Sequence, residues 1–300
     1  MKIQFINKRF KSTSMALINK AVAILDEYSA QNYVLSLRQL YYQMVARDIV
    51  PNSMKSYTMV GTLISDARLA GLIDWGMIED RGREVHYPSH WASPAEIIET
   101  AAKSFRIDLW EGQPHYVEVM VEKDALSGIL EPICRELDVR FTANKGYSSS
   151  SALFEAGARM ARAYHNGLKP CIIYFGDHDP SGIDMTRDIE DRLKLFSKGV
   201  DFEVTRLALN YDQVKRYRPP ENPAKANDSR FDSYKKLYGT SSWELDALEP
   251  KVLSDLLVDN VVQLLDKKAW KKTKEKQEKM RSELSLLAQQ YEEGLVPVNG

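Results

Sequence analysis

Two sets of side chains in this 300-residue chain have the types and spacing that chemistry needs. One is acidic: Glu122 closes the apolar run VEVMV, and Asp177-His178-Asp179 follows CIIYFG and precedes Pro180-Ser181-Gly182. Carboxylates spaced Asp-x-Asp, with a third acid at another strand end, suit Mg2+, which keeps several waters and is usually held by one or two carboxylates plus substrate phosphates. Taken singly, each acid reads equally well as a helix cap or a solvated loop residue. The other set is Arg38-Gln39-Leu40-Tyr41-Tyr42. At helical spacing Leu37, Leu40, Tyr41, Met44 and Val45 make one apolar stripe, so Tyr41 belongs in the core. Tyr42 falls about 100° further round, outside that stripe, with Arg38 one turn before it on the same side. An exposed phenol beside a fixed guanidinium meets the needs of attack on a phosphodiester, because the phenol must lose its proton while a cation neutralises the phosphate oxygens. An ordinary surface tyrosine would look the same.

These residues need elements to position them. Apolar residues from Met15 to Ile24 fit a first helix, and Ser36 with Gln39 forms a capping box that opens the helix LRQLYYQMVAR. Pro51-Asn52-Ser53 stops the chain and starts a third helix through about Leu69, after which LIDWGMIEDRGREVHYP offers two short β runs around Asp80-Arg81-Gly82. Three helices and a hairpin describe a winged helix-turn-helix over residues 1–90. Residues 91–114 read as a connector with a short helix at 94–102. From 115 the pattern alternates: strands at Tyr116–Val121, Val139–Thr142, Cys171–Phe175 and Phe202–Leu209, with helices near 124–137, 150–166 and 183–197. Such alternation implies right-handed βαβ units and a mostly parallel sheet over 115–210. In an open sheet of this kind ligands bind at the carboxyl ends of strands, where Glu122, Asp177 and Asp179 would converge. Residues 217–242 are rich in Pro, Asn and Ser and read as a long surface loop. Helices follow from Ser254 to Leu265 and on to about Glu293. The fold class is thus α/β plus α+β: an N-terminal winged helix, a Rossmann-like core and a C-terminal helical extension over 211–300.

Weaker signals have bland readings. His86 and His90 have metal-helix spacing, but Pro88 between them forbids a helix. Lys145-Gly146-Tyr147 before a run of serines is a loose match to a phosphate-cradling turn and reads better as a helix cap. DHDPSG could be a dehalogenase-type phosphorylated Asp, yet that motif belongs to the first strand of its domain and would leave Glu122 without a role.

Composition bounds the function classes. With 44% hydrophobic and 28% charged residues and only Cys134 and Cys171, the chain is neither disordered nor a disulfide scaffold. No stretch approaches a membrane span and the N-terminus lacks a signal-peptide core, so a soluble, cytoplasmic protein without a membrane partner is expected. A net charge of −1 argues against a nucleic-acid binder only as a sum. Residues 267–281 carry eight Lys/Arg against two Glu, a run that is more often a solvated helical face than a nucleic-acid contact. Lys55, Arg68, Lys123 and Lys145 are candidate DNA contacts.

The order of these motifs is more specific than any one of them. A winged helix with Ser-x-Arg-x-x-Tyr-Tyr, then an α/β domain with Val-Glu-Lys and Asp-x-Asp-Pro-x-Gly, resembles the A subunit of topoisomerase VI and the meiotic double-strand-break transesterase. It is most similar to the compact A-subunit-like proteins of bacterial viruses and mobile elements. The resemblance covers about residues 13–210 and implies that the core is a Toprim domain. It implies Tyr42 as nucleophile, Arg38 as its arginine, Glu122 as the Toprim glutamate and Asp177 and Asp179 as its metal-binding pair, with Mg2+ as cofactor and duplex DNA as substrate. It further implies type IIB topoisomerase chemistry: a 5′-phosphotyrosyl link formed reversibly in a homodimer, where Tyr42 of one protomer meets the acids of the other. Any ATP-driven step would need a separate ATPase subunit, since no Gly-rich ATPase motif is present. Gly146-Tyr147-Ser148 matches the family's Gly-Tyr-Pro only in part, and the Thr-Arg that usually follows is absent. SWELDAL (Trp243, Glu244, Asp246) resembles a C-terminal Glu-rich motif of the family, with no role assigned. A metal-dependent DNA hydrolase and a non-catalytic DNA-binding protein are the alternatives.

Overall fold

A computed structural model describes residues 2–79, 88–144 and 146–294. The hairpin expected around Asp80-Arg81-Gly82, His86 and Lys145 lie outside the described residues. The chain is a mixed α/β protein built round a parallel four-stranded sheet.

Three helices open the chain: α1 (Ser12–Ser29), α2 (Leu37–Ala46) and α3 (Met54–Leu69). Local signals set their starts. The Ser36 hydroxyl accepts from the Gln39 amide while the Gln39 side chain accepts from the Ser36 N–H, and Ser53 caps α3. Apolar faces of all three close over Ile18, Leu25, Leu40, Met44, Val60 and Ile64. Two short strands, β1 (Leu35–Ser36) and β2 (Ile78–Glu79), pair in parallel beside them. Helix α4 (Pro94–Ser104) stands at the short helix expected over 94–102 and begins at capping Ser93 with Pro at its first position.

The sheet comprises β3 (His115–Val121), β4 (Arg140–Ala143), β5 (Lys169–Phe175) and β6 (Glu203–Ala208) in the order β4-β3-β5-β6. Crossovers run through α5 (Ser127–Glu136), α6 (Ser150–His165) and α7 (Pro180–Phe196). All four strands and all three helices stand where alternation placed them. Val117, Val119 and Val121 of β3 and Ile173 and Phe175 of β5 face α5, whereas Met120, Ile172 and Tyr174 face α6 and α7. Burial on both faces is why these strands read as unbroken apolar runs. Strand order reverses between β3 and β5, so a crevice opens beyond the carboxyl ends of these two strands.

The segment expected to be a long loop is instead structured. It contains α8 (Tyr211–Tyr217), which starts before it, then β7 (Glu221–Pro223), α9 (Phe231–Tyr238) and β8 (Ser241–Trp243), with β7 and β8 antiparallel. Tyr234, Tyr238 and Trp243 from this strap, with Tyr211, enclose the His178 ring, so its aromatic residues have a core to join. Helices α10 (Pro250–Gln263) and α11 (Lys267–Glu292) complete the chain. Lysines 267, 268, 271, 272, 274, 276 and 279 of the basic run are exposed along α11. Among the described residues no helix is long and apolar enough to cross a membrane.

Candidate functional site

The crevice beyond β3 and β5 holds a buried knot of charge. Glu122 and Lys123 follow β3, and Asp177 follows β5 through Gly176. A side chain at 176 would meet the Tyr174 hydroxyl at 2.9 Å and the Glu122 carboxylate at 3.0 Å, so only glycine lets the acids approach. Arg206 of β6 fixes the loop beyond, donating to the carbonyls of Gly176, Gly182 and Asp177.

A third element enters the site through the backbone. The His178 N–H donates to the Trp243 carbonyl at 2.9 Å and the Trp243 N–H returns a bond at 3.0 Å, stitching β8 to the loop after β5. Tyr234 strengthens the stitch through its hydroxyl, which lies 2.8 Å from His178 Nδ1 and 3.0 Å from the His178 carbonyl. Burial, then the charge of Arg206, depress the His178 imidazole to about 4, so it stands neutral. The chain after Trp243 therefore delivers Glu244 and Asp246 to Asp177, whose Oδ1 accepts the Leu245 N–H at 2.8 Å.

Carboxylate oxygens of Asp177, Glu244 and Asp246 lie within 4.8 Å of one another. Two cations reach them. Lys123 Nζ is 2.6 Å from Asp177 and contacts Glu244, and Arg38 pairs with Glu244 and Asp246 at 2.8 Å each. Burial opposes both cations, yet the acids raise each above its ordinary value. Burial also pushes Asp177 up, against the pull of Lys123; Glu244 is lowered because Lys123 and Arg38 outweigh its desolvation. Three carboxylates against two cations leave an uncompensated negative charge. Asp246 marks it: its side chain has no exposure, and its oxygens meet only the charges of Arg38 Nε at 2.8 Å and Lys123 Nζ at 3.7 Å, without hydrogen-bond geometry, among the described residues. Buried polar atoms are rarely left so, and an oxygen donor set of this kind fits a hard divalent cation. The triad could hold a metal ion.

Expected and observed roles overlap in part. Asp177 stands in the triad. Glu122 is buried beside it, and its Oε2 accepts the Asp177 N–H at 2.8 Å; desolvation raises its pKa. Asp179 Oδ1 caps α7 by accepting from Gly182 and Ser181. Lys123, expected as a DNA contact, is instead a partner of the acids. Arg68 donates to the Trp75 carbonyl and lies over the Trp75 ring, which ties it to the N-terminal unit, while Lys55 is exposed on α3.

Tyr42 requires a correction: the expected exposed phenol is only 5% exposed. Its ring packs on Tyr41, lies under Arg38 at 5.7 Å, and its hydroxyl accepts from Asn222 Nδ2 at 3.4 Å. Helical periodicity sees only the stripe facing the helix's own unit, and the strap covers Tyr42 from 180 residues away. Tyr41 is in the core as expected. A cavity of about 390 Å3 remains against Tyr42, lined also by Arg38, Asp179, Asn222, Lys225 and Glu244. Burial and the Glu244 charge raise the Tyr42 phenol to about 12. Sequence reasoning missed Asn222, for which no local signal exists, and gave no role to Glu244 and Asp246, whose spacing before the Pro250 helix was the available hint.

Compared with known families and proteins, the chain matches no family model and no curated protein.

Proposed function

We propose that this protein cleaves duplex DNA by tyrosine transesterification, as a Mg2+-dependent enzyme of the kind that topoisomerase VI A subunits exemplify. The observation that carries the reading is Arg38: one guanidinium lies over the Tyr42 ring and pairs with Glu244 and Asp246 of the acid triad. Tyr42, Arg38 and one acid of the triad, Glu244, thereby border one cavity, with Asp177 and Asp246 buried behind it. In the step, Tyr42 Oη attacks phosphorus, the bond to O3′ breaks and the electron pair leaves with O3′. The phenolic proton lost is balanced by the proton that O3′ gains, so a 5′-phosphotyrosyl link and a free 3′-OH result. Asp177, Glu244 and Asp246 would hold Mg2+, which when bound supplies charge stabilisation to phosphate and leaving oxygen. Arg38 offsets phosphate charge, and Asn222 holds the phenol oxygen.

Incubating purified protein with supercoiled DNA and Mg2+ tests the reading. Protein-linked 5′ ends that vanish in Tyr42→Phe are expected. A buried phenol with a raised pKa favours the second reading, hydrolysis by metal-activated water, which gives free 5′ phosphates and indifference to Tyr42→Phe. Binding without any cleavage leaves a non-catalytic DNA-binding protein.

A further inference from the structure

We infer that the lysine face of α11 is a second DNA-binding surface, which grips duplex phosphates at the end of the sheet away from the cleavage crevice. It takes duplex DNA as its polyanion from the cleavage reading above, and it departs from the solvated face expected of this run. Packing uses one side of α11 only. Trp270 meets Trp110 edge to face, Gln277 Oε1 accepts the Ile107 N–H at 3.0 Å, and Arg281 Nε donates to the Phe105 carbonyl at 2.8 Å. Lys268, Lys272 and Lys276, four residues apart, form an exposed stripe on the other side, with Lys279 beside it and Lys267, Lys271 and Lys274 flanking it. Acids reach few of these. Lys271 has Glu275 at 3.8 Å and Lys279 has Glu283 at 4.0 Å, whereas Glu278 pairs with Arg281 at 3.0 Å. Lys267, Lys268, Lys272, Lys274 and Lys276 have no acid within salt-bridge distance among the described residues.

These charges work against the helix that carries them. Like charges four apart repel along a helix. Lys267, Lys268 and Lys271 also stand at the start of α11, at the positive end of the helix dipole, where acids are favoured and the first turn has none. A polyanion laid along the helix reverses both effects, and the side chains say which kind. A lipid surface needs apolar residues among the lysines, and no large exposed hydrophobic residue falls within 267–281. Protein interfaces are depleted in lysine and use arginine and aromatic anchors, which this face lacks. Lysines alone are flexible point charges that contact phosphates without reading bases. From Lys267 to Lys279 the helix rises about 18 Å, the length of about five base pairs. The place is also separate from the acids. His115 Nδ1, at the start of β3, lies 2.9 Å from the Leu264 carbonyl, and the Gln113 side chain exchanges hydrogen bonds with the backbone of Asp266, the cap of α11. The helix therefore begins at the amino end of β3, about 20 Å from the acids at the carboxyl end, and holds DNA outside the stretch that enters the crevice.

Fluorescence anisotropy with a labelled mixed-sequence duplex, in EDTA to prevent cleavage, tests the surface across a range of KCl concentrations. Lys268→Gln/Lys272→Gln/Lys276→Gln protein should bind more weakly than wild type, and its plot of log affinity against log salt should be shallower by about 3. Its thermal midpoint should hold or rise, since the repulsion along the stripe is gone. Arginine at the same three positions keeps the charge and should keep the slope. If the triple glutamine variant does not fold, Lys272→Gln alone should lower the slope by about 1. An unchanged affinity and slope in a folded glutamine variant overturns the inference and leaves this face to an acidic protein. Two further outcomes separate it from the cleavage reading. A shallower slope in a protein that forms no 5′ adduct keeps the surface and removes the transesterase, whereas an unchanged slope in a protein that forms the adduct removes the surface alone. Wild-type protein that binds no duplex removes both.

Discussion

Strand β3 carries one buried glutamate, Glu118, and a second, Glu122, follows its end, and their surroundings differ. Glu118 has no exposure and every need met: Arg159 of α6 binds it in a fork at 2.7 and 2.9 Å, and the Tyr116 hydroxyl donates at 2.6 Å. Around Glu122 the acids outnumber their cations, and buried Asp246 shares Arg38 and Lys123 with Glu244 without hydrogen-bond geometry of its own. The first cluster is closed, with one fork matched to one carboxylate. The second is left short of positive charge at the end of the sheet where ligands bind. A closed cluster contributes to the fold, whereas an open one carries a standing demand for a cation. Removing a partner should therefore unfold the first and change what the second binds.

Arg159→Ala is the largest expected effect, because it strands Glu118 in the interior. Stability should fall by about 3–5 kcal/mol, read as a lower denaturant midpoint at unchanged slope. Replacing both residues by leucine should recover most of that loss. If Arg159→Ala costs no more than a surface substitution, Glu118 is not the closed cluster described.

Next comes acid sensitivity at the open cluster. His178 is 1% exposed and depressed to about 4 from an ordinary 6.5, so below 6.5 the unfolded chain binds a proton that the folded chain refuses. Stability present above pH 6.5 is lost as pH falls toward 4, by about 3 kcal/mol at most from this ring. His178→Phe keeps an aromatic ring between Tyr234 and Trp243 and should flatten that part of the stability profile relative to wild type. Parallel profiles for the two proteins between pH 6.5 and 4 would break the assignment.

The open cluster should also respond to metal where the closed one does not. At a concentration one hundred times the dissociation constant, Mg2+ should stabilise the wild-type protein by about 2.7 kcal/mol. Asp246→Asn should abolish that increment while changing metal-free stability less than Arg159→Ala does. Thermal shifts with and without EDTA decide it; an unchanged Mg2+ shift in Asp246→Asn removes Asp246 from the ligand set.

The strand and helix that carry the closed cluster were legible in the sequence, because alternation, caps and apolar runs are local, but the Glu118–Arg159 pair itself was not. Ser36 with Gln39 marks a helix start that the structure reproduces, and the helices expected from 94 and from 183 begin behind the caps Ser93 and Asp179. The open cluster was legible in pieces only. Glu122 and Asp177 stood out as strand-end acids, but what completes the site comes from far along the chain. Glu244 and Asp246 arrive through a backbone bridge between His178 and Trp243, and Asn222 reaches Tyr42 across 180 residues. Neither contact leaves a periodicity to read. Reading 217–242 as a loop went wrong for the same reason: its Pro and Asn are turn formers, yet its tyrosines bury against a histidine that sequence distance hides.

Asp179 gives the smallest effect and the sharpest division between the two kinds of acid. It lies in the open crevice, lining the Tyr42 cavity, yet its Oδ1 is engaged as the cap of α7 with Gly182. A capping residue is replaceable by Asn, whereas a carboxylate ligand is not. Asp179→Ala should cost about 1 kcal/mol of stability and Asp179→Asn only a few tenths. If capping is its whole role, Asp179→Asn keeps the Mg2+ shift that Asp246→Asn loses. A lost shift in Asp179→Asn with stability intact would move Asp179 from the acids that hold the fold to those that hold the ion, and the triad would then extend to the Asp-x-Asp pair the sequence pointed to.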